Sequence, residues 1–115
     1  MKTSVIYKIS IEGVHCWPHA KIVFPEVSYL SDLHRHIFVI RCKAAVTHLD
    51  RDKEFICETH EVIDYLTNKY WDNQKRCLNF EHKSCEMLAT EILQEFELDE
   101  CSVFEDDENG AIVEK

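Results

Sequence analysis

Glycine and proline are scarce in this chain, with two of each among 115 residues. Flexible linkers and hinges are rich in such residues, and no stretch of that kind is evident here. No internal repeat or low-complexity segment divides the sequence either. We therefore predict a single domain over residues 1–115, a length that supports a modest hydrophobic core.

Long apolar runs and C-x-x-C pairs are also missing. No segment approaches the roughly 20 apolar residues that span a bilayer. Residues 1–8 alternate in polarity, unlike the continuous apolar region of a signal peptide. The sequence therefore predicts no membrane partner and a cytoplasmic location. In that compartment the six cysteines are expected as reduced thiols rather than as a disulfide framework.

Positive charge is in deficit, because 13 lysines and arginines face 22 aspartates and glutamates, for a formal net charge of −9. A surface that follows the phosphates of a nucleic acid needs the opposite sign. We therefore expect no extended nucleic acid as a partner. The content of apolar residues, 45%, and of charged residues, 30%, is typical of a folded globular protein.

The sequence does contain two long segments of alternating polarity, residues 4–15 and residues 34–46. Such alternation predicts half-buried β-strands. Side chains two residues apart leave a strand on the same side. His15 is therefore expected on the apolar face of the first strand, and His34 and His36 on the apolar face of the second.

Imidazoles that share a shielded face are suitable ligands for a transition metal, and zinc is the commonest candidate. Three protein ligands leave one coordination position open, which is the arrangement of a catalytic rather than a structural zinc. The simpler alternative is that these are ordinary strand histidines that form local hydrogen bonds. On the residues alone, His15, His34 and His36 form a candidate Zn²⁺ site, and both interpretations stay open.

In the rest of the chain the spacing of the apolar residues changes. Residues 53–71 and 85–96 repeat apolar positions every three or four residues, which predicts two amphipathic helices. Residues 101–104 and 111–113 are predicted to form a hairpin around residues 106–110, in which Asn109-Gly110 is a strong turn signal. The order is ββααββ. We therefore predict the α+β class, with two helices on one face of an antiparallel four-stranded sheet.

This order resembles the family of 6-pyruvoyltetrahydropterin synthase and the 6-carboxytetrahydropterin synthase of queuosine biosynthesis. Four segments carry the resemblance: Ile-Glu-Gly-Val-His and the following Pro-His in residues 11–19, Leu-His-Arg-His in 33–36, Ser-Cys-Glu-Met-Leu-Ala in 84–89, and Val-Phe-Glu-Asp in 103–106. They look like the family's first strand, its Leu-His-Gly-His, its Thr-Ser-Glu-x-Leu-Ala and its Val-x-Glu-Thr. The four segments are distributed along nearly the whole chain.

The resemblance implies the T-fold (tunnelling fold), a zinc ion held by His15, His34 and His36, and a pterin or purine-type ring held by Glu105. A carboxylate accepts two parallel N–H bonds from the amidine edge of such a ring, which is a physical reason for a glutamate there. The simpler alternative is an acidic strand end that joins the charged residues 105–108. The resemblance also implies trimers stacked into hexamers, and four strands alone cannot close a barrel.

The sequence differs from the family at the positions of the residues that transfer protons. Leu30 stands at the position of the catalytic cysteine, four residues before the first histidine of the pair. The family's Asp-His pair corresponds to residues 70–79, which contain no histidine. Replacements for the missing groups are sought among Asp72, Cys16 and His19, with His60 a further candidate.

Two functions follow from these departures. The first is a zinc-dependent pterin lyase. The second is a catalytically silent relative that binds or sequesters a pterin, purine or nucleotide-like ligand. A zinc-stabilised oligomeric domain without a small ligand is a third alternative.

Overall fold

The computed structural model describes residues 1–115 and has an α+β architecture, which confirms the predicted class. The strands are β1 (Thr3–His15), β2 (His34–Val46), β3 (Trp71–Asp72), β4 (Cys77–Asn79), β5 (Glu100–Glu105) and β6 (Asn109–Glu114). The helices are α1 (Ala20–Val23), a 3₁₀ helix (Pro25–Ser31), α2 (Phe55–Tyr70) and α3 (Cys85–Glu95). None of these helices combines the length and the apolar character that a membrane crossing requires.

The sheet has six strands, in the order β3-β4-β1-β2-β5-β6, rather than the four predicted. It is also mixed, because β4 runs parallel to β1 while every other neighbouring pair is antiparallel. The two additional strands are two and three residues long. A period of two cannot be recognised over so few residues, so the sequence gives no local signal for them.

Helices α2 and α3 both cover the face of the sheet that the alternation predicted to be apolar. The shared core contains Tyr7, Ile9, Phe38, Ile40, Cys42, Ala44, Val62, Leu66, Leu88 and Ile92. The odd-numbered positions of β1 and the even-numbered positions of β2 therefore point toward the helices. His15, His34 and His36 belong to these two sets, so they lie on the helix-covered side, at one end of the strands.

The helix α3 begins as predicted. The Ser84 hydroxyl accepts a hydrogen bond from the backbone N–H of Met87 at 3.2 Å, which caps the helix. Glu86 lies in the first turn, where the partial positive charge of the helix terminus favours a carboxylate. This cap fixes the point at which the chain passes from the loop after β4 into α3.

The predicted hairpin is confirmed as β5 and β6, but its turn consists of residues 106–108 rather than 106–110, because Asn109 and Gly110 belong to β6. Asp106 and Asp107 have φ values of 54° and 55°, a left-handed conformation that aspartate adopts more readily than most residues. Gly110 lies inside β6, where a Cβ atom would be 2.2 Å from the carbonyl oxygen of Val103. The glycine therefore permits close contact between strands, and the turn itself folds Asp106 back toward β2.

Candidate metal centre

The antiparallel pairing of β1 and β2 brings the three histidines together. His15 lies directly opposite His34, and His36 lies opposite Gly13, two positions along the same face. One ring nitrogen from each histidine can be chosen so that all three lie within 4.8 Å of one another. His15 is 6% exposed, and the other two are half-buried.

Each of the three rings is held through its Nδ1 atom by an oxygen of the protein. His15 Nδ1 lies 2.8 Å from the carbonyl oxygen of Lys83, and His34 Nδ1 lies 2.9 Å from that of Asp32. His36 Nδ1 lies 2.7 Å from Oδ2 of Asp106. Carbonyl oxygens and carboxylates only accept hydrogen bonds, so each Nδ1 carries the proton and donates it.

This protonation leaves a lone pair on each Nε2 atom of the neutral rings. The Nε2 atoms of His15 and His36 are buried and have no hydrogen-bond partner. The Glu105 carboxylate lies near both, at 2.9 Å from the Nε2 atom of His15 and 3.6 Å from that of His36. A nitrogen lone pair that faces a carboxylate is unfavourable unless a proton or a metal cation lies between them. Nδ1 donating to a carbonyl or carboxylate while Nε2 stays free is the usual arrangement of metal-binding histidines.

Glu105 lies beside these nitrogens. It pairs with Phe38 across β5 and β2, so its side chain shares the face of the histidines. Its Oε2 atom lies 2.9 Å from Nε2 of His15, although the two are not aligned as a hydrogen bond, and its Oε1 atom lies 3.6 Å from Nε2 of His36. The thiol of Cys85 donates to Oε2 at 3.7 Å.

The pKa values follow from this crowding. The contact with His15 holds the pKa of Glu105 below its usual value, despite the burial that opposes this. Burial lowers the pKa of His15, but Glu105 and the Lys83 carbonyl together outweigh it and raise the value overall. Burial lowers the pKa of His34, and its histidine neighbours lower it further. The site therefore contains an ionised carboxylate next to imidazoles, which favours a cation among them.

The floor of the site is aromatic. Phe38 is fully buried and contacts His15 and His36 edge to face, with ring centroids 5.2 and 5.7 Å apart. Phe80 packs against the other side of Phe38 at 5.0 Å. These rings restrict the imidazoles to narrow orientations and exclude water from below.

A cavity of about 380 Å³ opens beside the histidines. This size falls within the range of pockets that take small organic ligands. His15, His34 and Glu105 line it, together with Cys16, Trp17, Leu30, His82, Lys83, Ser84, Cys85, Glu86, Met87, Asn109 and Gly110. The predicted ring-binding glutamate and two of the predicted metal ligands therefore face one shared space.

Of the candidates for acid–base chemistry, one lines the cavity and the other three do not. Cys16 lines the cavity. His19 is exposed at the start of α1 and does not line the cavity. The carboxylate of Asp72 accepts from the backbone N–H groups of residues 74 and 75 and from the side-chain amide of Asn79, so it stabilises the turn between β3 and β4. His60 is exposed on α2.

Several residues of the site escaped the sequence analysis. Asp106 belongs to the charged run of residues 105–108, and its carboxylate holds the His36 ring and also accepts a hydrogen bond from the backbone N–H of Ile37 at 2.9 Å. Its position directly after Glu105, at the hairpin turn, was the only available signal. The carbonyl groups of Asp32 and Lys83 carry no side-chain signature. His82 lies in the loop after β4, a strand that the sequence did not predict.

A scan against protein-family models finds none that matches this chain, and a search of the curated proteins finds no match either.

Proposed function

We propose that this protein binds zinc through His15, His34 and His36 and accommodates a pterin or purine-type ligand in the adjacent cavity, as a T-fold protein of the 6-pyruvoyltetrahydropterin and 6-carboxytetrahydropterin synthase type. The observation that carries the proposal is the cluster of three histidines, whose rings each offer one nitrogen within 4.8 Å of the others and are each held through Nδ1. Three neutral imidazoles with an open fourth position are a typical catalytic zinc set.

The surroundings also fit a metal ion. Asp106 accepts the Nδ1 proton of His36 and so forms the carboxylate–histidine pair that commonly supports a zinc ligand. The contact with His36 lowers the pKa of Asp106, which keeps this carboxylate ionised. When bound, zinc would polarise an oxygen atom of the ligand and acidify the adjacent proton.

Metal analysis tests the first part of the proposal. The protein is purified without chelators from zinc-supplemented cells, and its metal content is measured by inductively coupled plasma mass spectrometry. We expect close to one zinc ion per chain. A protein that contains no zinc, and takes up none after dialysis against it, would rule out the metal centre.

The second part concerns the ring. Glu105 is ionised, lines the cavity and is only partly covered, with a side chain 30% exposed. A carboxylate in this position can accept two N–H bonds from the 2-amino-pyrimidine edge of a pterin or guanine ring. The apolar lining from Trp17, Leu30 and Met87 suits the flat faces of such a ring.

Replacing Glu105 by glutamine removes the charge and one of the two acceptors while it keeps the shape. We expect the affinity for a pterin or guanine-type ring to fall about a hundredfold, because hydrogen bonds to charged groups contribute about 1.5–3 kcal/mol each. Isothermal titration calorimetry measures this affinity. Zinc content is the control, and it should remain at the wild-type level. A loss of zinc equal to the loss of ring binding would make Glu105 a metal ligand instead.

A specific observation favours a catalytically silent relative as the second candidate. Leu30 lines the cavity where the family has its cysteine, and burial next to Glu105 raises the pKa of Cys85 to about 12, so this thiol stays protonated. Incubation with dihydroneopterin triphosphate, followed by mass spectrometry, separates the candidates. Conversion supports the enzyme, and tight binding without conversion supports the silent relative.

We also propose self-association into trimers and hexamers. The radius of gyration is 15.4 Å, against about 13 Å for a compact chain of this length. The strand β6 ends the sheet, and Ile6 and Ile37 on the helix-free face are each 46% exposed. Pairing between copies would satisfy this edge and cover these side chains. A monomer in light scattering would exclude this assembly.

A further inference from the structure

A cluster of charged and phenolic side chains, centred on Glu91, lies beside the metal centre and shares Lys83 with it. The carboxylate of Glu91, which belongs to α3, accepts four hydrogen bonds. Its Oε2 atom accepts from Lys69 Nζ and from the Tyr65 hydroxyl, both at 2.8 Å. Its Oε1 atom accepts from Lys83 Nζ at 2.5 Å and from the Tyr70 hydroxyl at 2.6 Å.

The carboxylate of Glu91 is mostly buried and is held in its ionised form. The side chain of Glu91 is 13% exposed, and burial alone would raise its pKa. The four donors outweigh burial and lower the pKa to about 2, so Glu91 is ionised at every physiological pH. The ammonium groups of Lys69 and Lys83 also lie 5.4 Å from the ring centre of Tyr70, where cation–π attraction adds to the ion pairs.

Lys83 links this cluster to the metal centre through its two ends. Its side chain is held by Glu91, and its backbone carbonyl accepts the Nδ1 proton of His15. Lys83 also donates its backbone N–H to the carbonyl of Phe80 at 3.1 Å. The residue lies in the loop between β4 and α3, where no regular ladder of hydrogen bonds fixes the direction of its carbonyl.

We propose that the Glu91–Lys83 ion pair positions the metal centre, because it holds the loop carbonyl that fixes the ring of His15 with Nε2 directed at the ion. Glu91 and Lys83 are positioning residues, since their charged groups act on zinc only through the backbone and His15. The inference rests on the zinc site proposed above. Loss of an outer partner of a zinc ligand typically weakens metal binding about 10–100-fold.

The chain offers a matched control in Lys69. Each lysine gives Glu91 one ammonium group, but Lys69 belongs to α2, and its hydrogen bonds go to Glu91 and Tyr65 rather than to the loop that carries the His15 acceptor. Lys83→Met and Lys69→Met therefore remove equivalent partners from Glu91. Only Lys83→Met releases the carbonyl.

The experiment compares the zinc affinity of these two variants, by competition with a chromophoric chelator, and the thermal unfolding of each metal-free protein. We expect both variants to lose similar stability. Lys83→Met should lose about 10–100-fold in zinc affinity, while Lys69→Met should stay within about twofold of the wild type. Lys83→Arg, which keeps a cation near Glu91, should recover most of the affinity. Equal zinc affinities for Lys83→Met and Lys69→Met would overturn the proposal.

A second measurement needs no metal. The ¹⁵N NMR shifts of the His15 ring report the share of the neutral ring that carries its proton on Nδ1. In metal-free wild type at alkaline pH we expect this form to dominate, and in Lys83→Met we expect a mixture of both tautomers. An unchanged tautomer would overturn the proposal. If the wild type binds no zinc, the proposed function fails by itself, while the tautomer still decides the role of Lys83.

Discussion

Replacing His34 by alanine is expected to lower zinc affinity about a hundredfold or more while the fold stays intact. Four-ligand zinc sites bind with about 10–16 kcal/mol in total, so each ligand accounts for roughly 3 kcal/mol. His34 is half-buried, and its side chain forms one hydrogen bond within the protein, to the carbonyl oxygen of Asp32. Its removal therefore affects the metal far more than the core, unlike the removal of the deeply buried His15.

The affinity of His34→Ala is measured by chelator competition, with His60→Ala as the control. His60 is exposed on α2, remote from the cavity lining, so its loss should leave zinc binding unchanged. If His34→Ala binds zinc as tightly as the wild type, the three-histidine centre is wrong, whatever the protein's metal content.

Zinc bound at the proposed centre is expected to stabilise the folded chain. A ligand that binds only the folded chain stabilises it by about 4 kcal/mol at a thousand times its dissociation constant. Wild-type protein treated with a chelator should therefore unfold at a clearly lower temperature than the zinc-loaded form. In His34→Ala the difference between the two forms should shrink with the logarithm of the lost affinity, by about 2.7 kcal/mol for a hundredfold loss. This ties the stabilisation to the histidine site rather than to surface binding.

The convergence of the three histidines was predictable because it depends on local rules. Alternation over 13-residue strands fixes which side chains share a face. One antiparallel pairing of those strands then brings His15, His34 and His36 to the same end. The helices were predictable for the same reason, since α2 and α3 each repeat their apolar positions over several turns.

The supporting groups were not predictable, because they depend on contacts between distant parts of the chain. The Lys83 carbonyl reaches His15 across 68 residues, and Asp106 reaches His36 across 70. A backbone acceptor leaves no trace in the amino-acid sequence. The amino-acid sequence does not distinguish a glycine that permits close packing between strands, such as Gly110, from one that forms a turn.

The aromatic floor joins the core to the metal centre at Phe38. This ring is 0% exposed and contacts Phe80 below and two imidazoles above. Gly13 lies against it, and a Cβ atom there would approach the Phe38 ring to 3.2 Å and that of Phe80 to 2.7 Å. Such packing leaves little space into which the surroundings could collapse if Phe38 were truncated, so a cavity would persist.

Phe38→Ala is therefore expected to have the largest effect on stability, with a loss of about 3–5 kcal/mol in the free energy of unfolding. At about 4 °C per kcal/mol, the midpoint of thermal unfolding should fall by about 12–20 °C in circular dichroism. Phe24→Ala is the control, because Phe24 is 50% exposed and its loss should cost less than about 1 kcal/mol. Zinc should recover part of the loss in Phe38→Ala, since the Nδ1 contacts of the ligands survive the truncation. Equal shifts for the two variants would show that Phe38 does not support the site.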